Sequence, residues 1–155
     1  MTSKKLALSS DHAGVELKEV VKKFLLEMGY SFDDFGVEGS EPVDYPDYAK
    51  VVAEKVSSGE YERGILLCGS GVGMAIVANK FPKVRAVQVN DIYTAVMSRK
   101  HNDTNVLALA GRVTGNDLAK EIVKAWLETP FEGGRHERRL KKIEDIEKEI
   151  HRKGS

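Results

Sequence analysis

The chain has 155 residues, of which 41% are apolar and 31% charged, and its 24 basic side chains are balanced by 24 acidic ones. This length fits one domain with a buried core, and the balanced charge leaves no strong field to attract nucleic acid or an anionic membrane. No apolar run approaches the roughly 20 residues of a membrane-spanning helix. Residues 1–14 lack the pattern of a signal peptide. The single cysteine, Cys68, permits no internal disulfide. We therefore expect one domain over residues 1–155, a cytoplasmic location, and no nucleic-acid or membrane partner.

Short apolar runs alternate with amphipathic stretches along most of the chain. The pattern predicts strands at 5–10, 30–35, 64–68, 84–89 and 106–109, and helices at 15–28, 47–56, 71–80, 91–100 and 116–127. Such alternation is typical of βαβ units. The predicted fold class is therefore α/β: a three-layer sandwich in which helices cover both faces of a five-stranded parallel sheet.

The loops at the carboxyl ends of parallel strands meet at one edge of the sheet, where α/β proteins bind their ligands. Here those loops are expected to begin at 10–12, 36–44, 68–70, 90–91 and 110–112. These five loops are therefore the expected functional loops.

The third loop, CGSGVGM at 68–74, alternates glycine with other residues. Glycines let backbone N–H groups point into a cavity, and a helix start just beyond favours an anion. The loop lacks the Gly-Lys-Ser/Thr of a phosphate-binding NTPase loop and the arginine of a phosphatase loop. The dinucleotide pattern G-x-G-x-x-G fits Gly69 and Gly71, with Asp91 about 20 residues later, but the third glycine, Gly73, comes one residue early. The pattern favours anion or oxyanion binding, with a structural turn and a nucleotide site as alternatives.

Two polar pairs are further candidates. Asp11-His12 follows the first predicted strand, and a carboxylate beside an imidazole can orient a hydroxyl, move a proton or bind a phosphate. Asp11 could equally cap the next helix. His101-Asn102 is expected to follow the fourth helix, directly before the last strand, where both residues could be structural.

Basic residues suited to a phosphate dianion are Arg112, Arg135 and Arg139. Arg135 and Arg139 are one helical turn apart and share a face, and the planar guanidinium can donate two hydrogen bonds to phosphate oxygens. Arg138 is interpreted as a solvated side chain. Four histidines, at 12, 101, 136 and 151, form no recognised metal-binding spacing with the one cysteine, so no metal is expected.

The tail, residues 133–153, is densely charged and carries a narrow apolar stripe at helical spacing, formed by Leu140, Ile143, Ile146 and Ile150. This pattern predicts a C-terminal helix that lies on another surface. That surface is either the body of the same chain or a second copy of it.

Taken together, the motifs resemble those of type B ribose-5-phosphate isomerases, a family that also includes the galactose-6-phosphate isomerase subunits. They are SSDHAG at 9–14, VDYPDYA at 43–49, CGSGVGMAIVANK at 68–80, SRKHNDTNVLALAGR at 98–112 and FEGGRHERR at 131–139. The resemblance implies a Rossmann-like fold and an aldose–ketose isomerase that interconverts ribose 5-phosphate and ribulose 5-phosphate without metal or organic cofactor. It also implies a homodimer, or a homotetramer built from two dimers, with active sites shared between subunits.

The resemblance also assigns roles by position. Cys68 matches the base that moves a proton between C1 and C2, and His101 matches the group that opens the furanose ring. Asp11 matches a residue that handles sugar hydroxyls, and Ser70 stands where the family usually has threonine. The implied binding residues form three sets: the loop around the enediolate with Gly69, Gly71, Val72 and Gly73; the phosphate site with His12, Arg112, Arg135 and Arg139; and the sugar site with Asp44, Tyr45 and Asn102.

Other functions stay open at this point. A six-carbon phosphate, of allose or galactose, is an alternative substrate. A nucleotide-phosphate binding module would share the glycine loop but would need neither Cys68 nor His101. A noncatalytic sugar-phosphate sensor would bind ribose 5-phosphate without turning it over.

Overall fold

The computed structural model describes residues 5–154, so the part of the N-terminal prediction that concerns residues 1–4 lies outside it. The strands are β1 (Leu6–Ser10), β2 (Phe32–Asp34), β3 (Gly64–Cys68), β4 (Ala86–Gln88) and β5 (Val106–Ala110). The helices are α1 (Val15–Glu27), α2 (Tyr45–Ser57), α3 (Val72–Ala78), α4 (Ile92–Asn102), α5 (Asn116–Glu128) and α6 (Arg135–Lys153). A 3-10 turn at His12–Gly14 joins β1 to α1.

The five strands form one parallel sheet with the order β2-β1-β3-β5-β4. Every residue of the three central strands is buried, whereas the edge strands β2 and β4 are shorter and half-buried. Strands buried on both faces are continuous apolar runs, which is why 64–68 was predicted without error. The prediction of a five-stranded parallel sheet is confirmed.

Helices cover both faces of the sheet and complete a three-layer sandwich. On one face, side chains of α1, α4 and α5 pack against β1, β3 and β5 around Leu8, Leu67 and the buried Trp126. On the other face, α2 and α3 pack on the same strands around Val52, Leu66 and Met74. The sheet is thus held on both sides, and its strand ends form a fixed platform for loops.

Several predicted boundaries need correction. Helix α2 begins at Tyr45, two residues earlier than predicted, with Asp44 at its N-cap position. His101 and Asn102 do not follow α4 but form its last turn. The helix continues through them because Asp103, at φ 45° in the left-handed region, is the residue that ends it, and its N–H bonds to the Arg99 carbonyl.

The tail forms the predicted helix, α6, which lies beside the body of its own chain. The backbone N–H of Lys83 donates to the Glu147 carboxylate at 3.0 Å. The packing is incomplete, because a groove of about 690 Å³ separates α6 from the body, and Ile143, Ile146 and Ile150 are 50%, 56% and 64% exposed. Among the helices of residues 5–154, none has the length and apolar character needed to cross a bilayer.

Candidate active site

The ends of β1, β3 and β5 bring three loops together at the carboxyl edge of the sheet. The Asp11 N–H donates to the Leu67 carbonyl at 3.2 Å, and the N–H groups of Gly111 and Arg112 donate to the carbonyls of Cys68 and Gly69 at 2.7 and 3.1 Å. The chain leaves β1 toward β2 on one side and returns to β3 on the other. This reversal opens the crevice in which α/β sheets place their ligands.

Cys68 is the last residue of β3 and is a buried free thiol. Its Sγ accepts a hydrogen bond from the Gly71 N–H at 3.1 Å. Gly71 has a φ of 79°, and a β-carbon there would lie 3.0 Å from the Leu109 carbonyl carbon and oxygen. Only glycine fits this conformation and this space. The loop therefore aims a backbone donor at the sulfur and leaves little side chain around it.

The glycine loop is braced from two sides. The Gln88 side chain, from the end of β4, donates to the Ser70 carbonyl at 2.9 Å, and the Ser70 hydroxyl accepts from the Val72 N–H at 3.3 Å. On the other side, a β-carbon on Gly73 would lie 2.5 Å from Cε1 of Tyr45. Tyr45, which the resemblance assigns to the sugar site, therefore lies against this loop. Gln88 was missed, since one glutamine at a short edge strand carries no sequence signal.

Asp11 and His12 are fixed by backbone contacts. Asp11 is buried, and its Oδ1 accepts from the N–H groups of Ala13 and Gly14 at 3.0 and 3.2 Å. One carboxylate oxygen of Asp11 therefore caps the turn that follows β1, as the capping alternative predicted. Nδ1 of His12 accepts from the Val43 N–H at 3.1 Å. A neutral His12 then carries its proton on Nε2, which makes that nitrogen a donor for an anion.

Arg112 is an exposed residue beside the glycine loop. Its Cδ and Nη1 lie 3.4 Å from the position of a β-carbon on Gly69.

Asp91 is the N-cap residue of α4, since its carboxylate accepts from the N–H and hydroxyl of Thr94 at 2.7 and 2.8 Å. These bonds lower the pKa of Asp91. Asp91, which would bind the ribose hydroxyl in a dinucleotide site, is therefore already bonded to the first turn of α4.

His101 and Asn102 lie at the opposite edge of the sheet. Helix α4 starts after the carboxyl end of β4 and runs back to the start of β5, a length of about 16 Å for its residues. The Glu132 N–H donates to the Lys100 carbonyl at 3.1 Å, which brings the start of α6 to this edge as well. One chain therefore does not bring His101, Asn102, Arg135 and Arg139 together with Cys68.

Around His101 the structure forms a cluster that the sequence spacing did not predict. The His101 and His136 rings stack with centroids 4.2 Å apart and planes 13° from parallel. Oε1 of Glu132 lies 3.6 Å from Nε2 of His101 and 3.9 Å from Nε2 of His136. His136 is buried, and this burial, with the nearby positive groups, lowers its pKa. Glu132 and His136 are four residues apart, but their approach to His101 depends on how α4 and α6 pack.

Comparison with known proteins decides the family. The model of the ribose/galactose isomerase family matches residues 6–143. The chain belongs to this family. It is 51% identical over 144 residues to ribose-5-phosphate isomerase B of Escherichia coli, covering 93% of this chain and 97% of that protein. It is 43% identical over 140 residues to D-erythrulose-4-phosphate isomerase of Pectobacterium atrosepticum, covering 89% and 91%.

The fold comparison agrees with the family assignment. The solved structure of Clostridium thermocellum ribose-5-phosphate isomerase B matches with a TM-score of 0.92 at 51% identity, covering 94% of this chain and 99% of that chain. The resemblance inferred from the motifs is thus confirmed over nearly the whole sequence, and the α/β fold with it.

Proposed function

We propose that this protein is an aldose–ketose isomerase that interconverts D-ribose 5-phosphate and D-ribulose 5-phosphate. The observation that carries the proposal is the placement of Cys68: a lone thiol at a strand end, with a backbone N–H on its sulfur and a glycine-rich loop beside it. Family membership and the activities named for the E. coli and C. thermocellum relatives support the same reaction.

In the proposed mechanism, Cys68 carries the proton between C2 and C1. With the sugar open, the thiolate removes the proton from C2, and the electrons of that bond form the C1–C2 double bond of the enediolate as O1 takes up the negative charge. The thiol then returns its proton to C1 while the O2 proton passes to O1, which gives the ketose. The N–H groups of residues 69–73 and the Ser70 hydroxyl stabilise the oxyanion as it forms. Asp11, whose Oδ1 is held by two N–H groups, orients sugar hydroxyls, and Asp44 and Tyr45 line the sugar site.

The phosphate would bind where charge-assisted donors converge. His12 offers its Nε2–H because Nδ1 is occupied by Val43, and Arg112 lies over Gly69. Arg135 and Arg139 complete the set in our proposal. Each such contact is worth about 1.5–3 kcal/mol.

We further propose that the active site is completed by a second copy of the chain. His101, Asn102, Arg135 and Arg139 stand at the amino edge and cannot reach the Cys68 of their own chain, so a partner would present them. The groove beside α6 and its exposed isoleucines support an interface there. The assembly would be a homodimer, or a homotetramer of two dimers, in which residues 133–153 act as the arm of a single domain, 1–155.

Mixing two inactive variants tests both the activity and the shared site. Cys68→Ser and His101→Asn would each be inactive alone. After unfolding and refolding together, a mixed dimer would contain one site with Cys68 from one chain and His101 from the other. Activity should recover to about a quarter of the wild-type value, since half of the randomly paired dimers are mixed and each has one intact site. No recovery would mean that each chain builds its own site.

The sugar is a separate question, because relatives act on different ones. The family description names ribose and galactose, and the P. atrosepticum relative is named for a four-carbon phosphate. The alternative substrate is therefore a six-carbon phosphate, of allose or galactose, or a shorter one. A panel of four-, five- and six-carbon aldose phosphates, ranked by kcat/KM, would decide. Independence of metal or organic cofactor is a proposal that rests on the resemblance, and a cytoplasmic location is one that rests on the single cysteine.

A further inference from the structure

The segment between α5 and α6 is tied to the end of α4 by backbone contacts. Nε of Arg99 donates to the Thr129 carbonyl at 3.1 Å, and the Glu132 N–H donates to the Lys100 carbonyl at 3.1 Å. Arg99 is itself buried and paired with Asp103 at 2.8 Å. These bonds fix the backbone of Glu132 beside His101, so the two side chains lie close together because of backbone contacts.

The side chains of His101, Glu132 and His136 offer one ligand atom each within 4.8 Å of one another, a spacing that is also found in metal chelates. A metal ion lies in the plane of each imidazole that binds it, at about 2.0–2.1 Å from nitrogen. Two nearly parallel rings with centroids 4.2 Å apart cannot share such an ion without one ring turning out of the stack. The observed arrangement instead holds one imidazole flat against another.

We propose that Glu132 and His136 are positioning residues for His101: Glu132 keeps the Nε2 proton of His101 directed at its carboxylate, and His136 fixes the plane of the ring. This inference rests on the proposed role of His101 in ring opening. The 3.6 Å separation of Nε2 and Oε1 is longer than a hydrogen bond. Contacts of catalytic groups commonly shorten when substrate binds.

Under this arrangement Nδ1 is the reactive nitrogen of His101. Ribose 5-phosphate closes through O4, because O5 is esterified. To open the ring, Nδ1 accepts the proton of the anomeric O1, the C1–O4 bond breaks as the C1–O1 double bond forms, and the proton is returned to O4. The imidazole ends in its starting state. The Glu132 carboxylate stabilises the imidazolium that exists between the two transfers, as an acidic partner does for other catalytic histidines.

His136 is suited to a packing role. It is buried, whereas the Glu132 side chain is half exposed. The burial of His136 and the charges of His101, Arg135 and Arg139 lower its pKa, against the opposing effect of Glu132. A neutral, buried ring is an apolar surface on which a second ring can rest without electrostatic repulsion.

Ribulose 5-phosphate provides a way to separate ring opening from the later steps. With O5 esterified, the ketose has no five-membered ring to open, so Cys68 can remove its C1 proton directly. C1 of ribulose 5-phosphate carries two protons, so in D₂O this removal appears as loss of one of the two C1 proton signals in the NMR spectrum. Variants that affect only ring opening should lower turnover of ribose 5-phosphate and keep this exchange.

The experiment compares Glu132→Gln with Glu132→Asp and with a matched control, Glu128→Gln, which removes the same charge from an exposed residue at the end of α5. We expect Glu132→Gln to lower kcat for ribose 5-phosphate by at least about 10-fold, with the C1 exchange of ribulose 5-phosphate nearly unchanged. Glu132→Asp should recover much of the lost turnover. Glu128→Gln should behave as wild type. Equal behaviour of the two glutamine variants, or an equal loss of turnover and exchange in Glu132→Gln, would overturn the proposal.

Two further variants test the stacking and the proposed function separately. His136→Phe keeps a flat ring without nitrogens and should retain more turnover than His136→Ala; equal losses would contradict the stacking role. A Co²⁺ absorption spectrum that depends on His136 would show a chelate and overturn the positioning role. Cys68→Ser should lose exchange by about the same factor as turnover, and exchange near the wild-type rate would remove Cys68 from the mechanism. Wild-type protein that neither exchanges a C1 proton nor turns over ribose 5-phosphate would overturn the proposed function, whatever Glu132 does.

Discussion

The two edges of the sheet present the two parts of the proposed active site in different ways. At the carboxyl edge, strand ends and backbone N–H groups hold Cys68, Asp11 and His12, and the contacts come from the same chain. At the amino edge, His101, Arg135 and Arg139 stand on helix ends, and the side chains are half or fully exposed around a buried His136.

In our proposal, the two edges have different functions. The carboxyl edge is rigid because three adjacent strands determine it, which suits the stabilisation of an oxyanion by fixed donors. The amino edge carries long or rotatable side chains, which suit contacts made across a subunit boundary. Substitutions at the two edges should therefore have different effects: loss of chemistry at the first, and loss of binding or ring opening at the second.

The largest effect is expected for Cys68→Ser at the carboxyl edge. An alcohol is a far weaker base than a thiolate, so kcat should fall by about 10²–10⁴, while KM and the circular dichroism spectrum stay close to those of the wild type. The measurement is steady-state kinetics in both directions. A near-normal kcat would remove the thiol from the mechanism and make Asp11 the next candidate base.

Alkylation of the wild-type protein gives an independent control for Cys68. As the proposed base, Cys68 should be modified by iodoacetamide faster than a free thiol at neutral pH. Ribose 5-phosphate should slow this reaction. Slow alkylation without protection by substrate is what a structural, inert cysteine would give.

A second prediction concerns the backbone of the same edge. Gly71→Ala forces a side chain into the left-handed region and against the Leu109 carbonyl, so it should destabilise the fold by about 1–3 kcal/mol and lower kcat by about 10-fold or more as the donor to Sγ moves. Gly115→Ala is the matched control, because Gly115 has a φ of −68° and open space around it. Similar denaturation midpoints and kcat values for both variants would contradict the account of this loop.

A third prediction concerns the amino edge. Arg139→Ala should raise KM by about 10-fold, since one charge-assisted contact to phosphate is worth about 1.5–3 kcal/mol, and the circular dichroism spectrum should not change. The neighbouring Arg138→Ala removes the same charge from a side chain that was interpreted as solvated and should leave KM near that of the wild type. Equal KM values for the two variants would take Arg139 out of the phosphate site.

The smallest effect on activity is expected at Asp34, which supports the loop beyond β2. Its carboxylate accepts from Lys18, Lys22 and the Gly36 N–H at 2.9–3.0 Å. Burial alone would raise its pKa, but these bonds outweigh the burial and lower it. Asp34→Asn should cost about 2 kcal/mol of stability at neutral pH, with kcat little changed.

The pH dependence of that loss follows from the direction of the shift. Because the folded pKa of Asp34 lies below the ordinary value of 3.8, its stabilisation is present above that value and is lost as pH falls through the lower, folded pKa. The stability difference between wild type and Asp34→Asn should therefore shrink in acid. Exposed Glu27→Gln serves as the charge control. A difference that is independent of pH would mean that the carboxylate is not the stabilising form.

Much of the fold could be predicted because the central strands carry their own signal. The bounds predicted for β3 match the structure, and the helix predicted at 71–80 is present as Val72–Ala78. The end of α4 was misplaced because Asp103, which adopts the left-handed conformation, is not the glycine that usually marks a helix end.

The site could be predicted only in part, for a physical reason. Cys68 ends one central strand, and Asp11 and Arg112 follow the ends of its two neighbours, so the alternation of strands and helices already places them at one edge. The same alternation puts His101 before β5, and hence at the other edge, whereas the resemblance groups it with Cys68 by role alone. The contact of His101 with Glu132 and His136 depends on packing between α4 and α6, which no local pattern specifies.

The strand order also constrains how the chain can fold. β4 is an edge strand whose neighbour in the sheet is β5, although β5 follows it in the sequence after α4. During synthesis, β4 therefore leaves the ribosome before its hydrogen-bonding partner exists, while β1, β2 and β3 can already pair with one another. The backbone amides of residues 86–88 should then be among the last in the sheet to gain protection from hydrogen exchange, and the first to lose it when the C-terminal third of the chain opens.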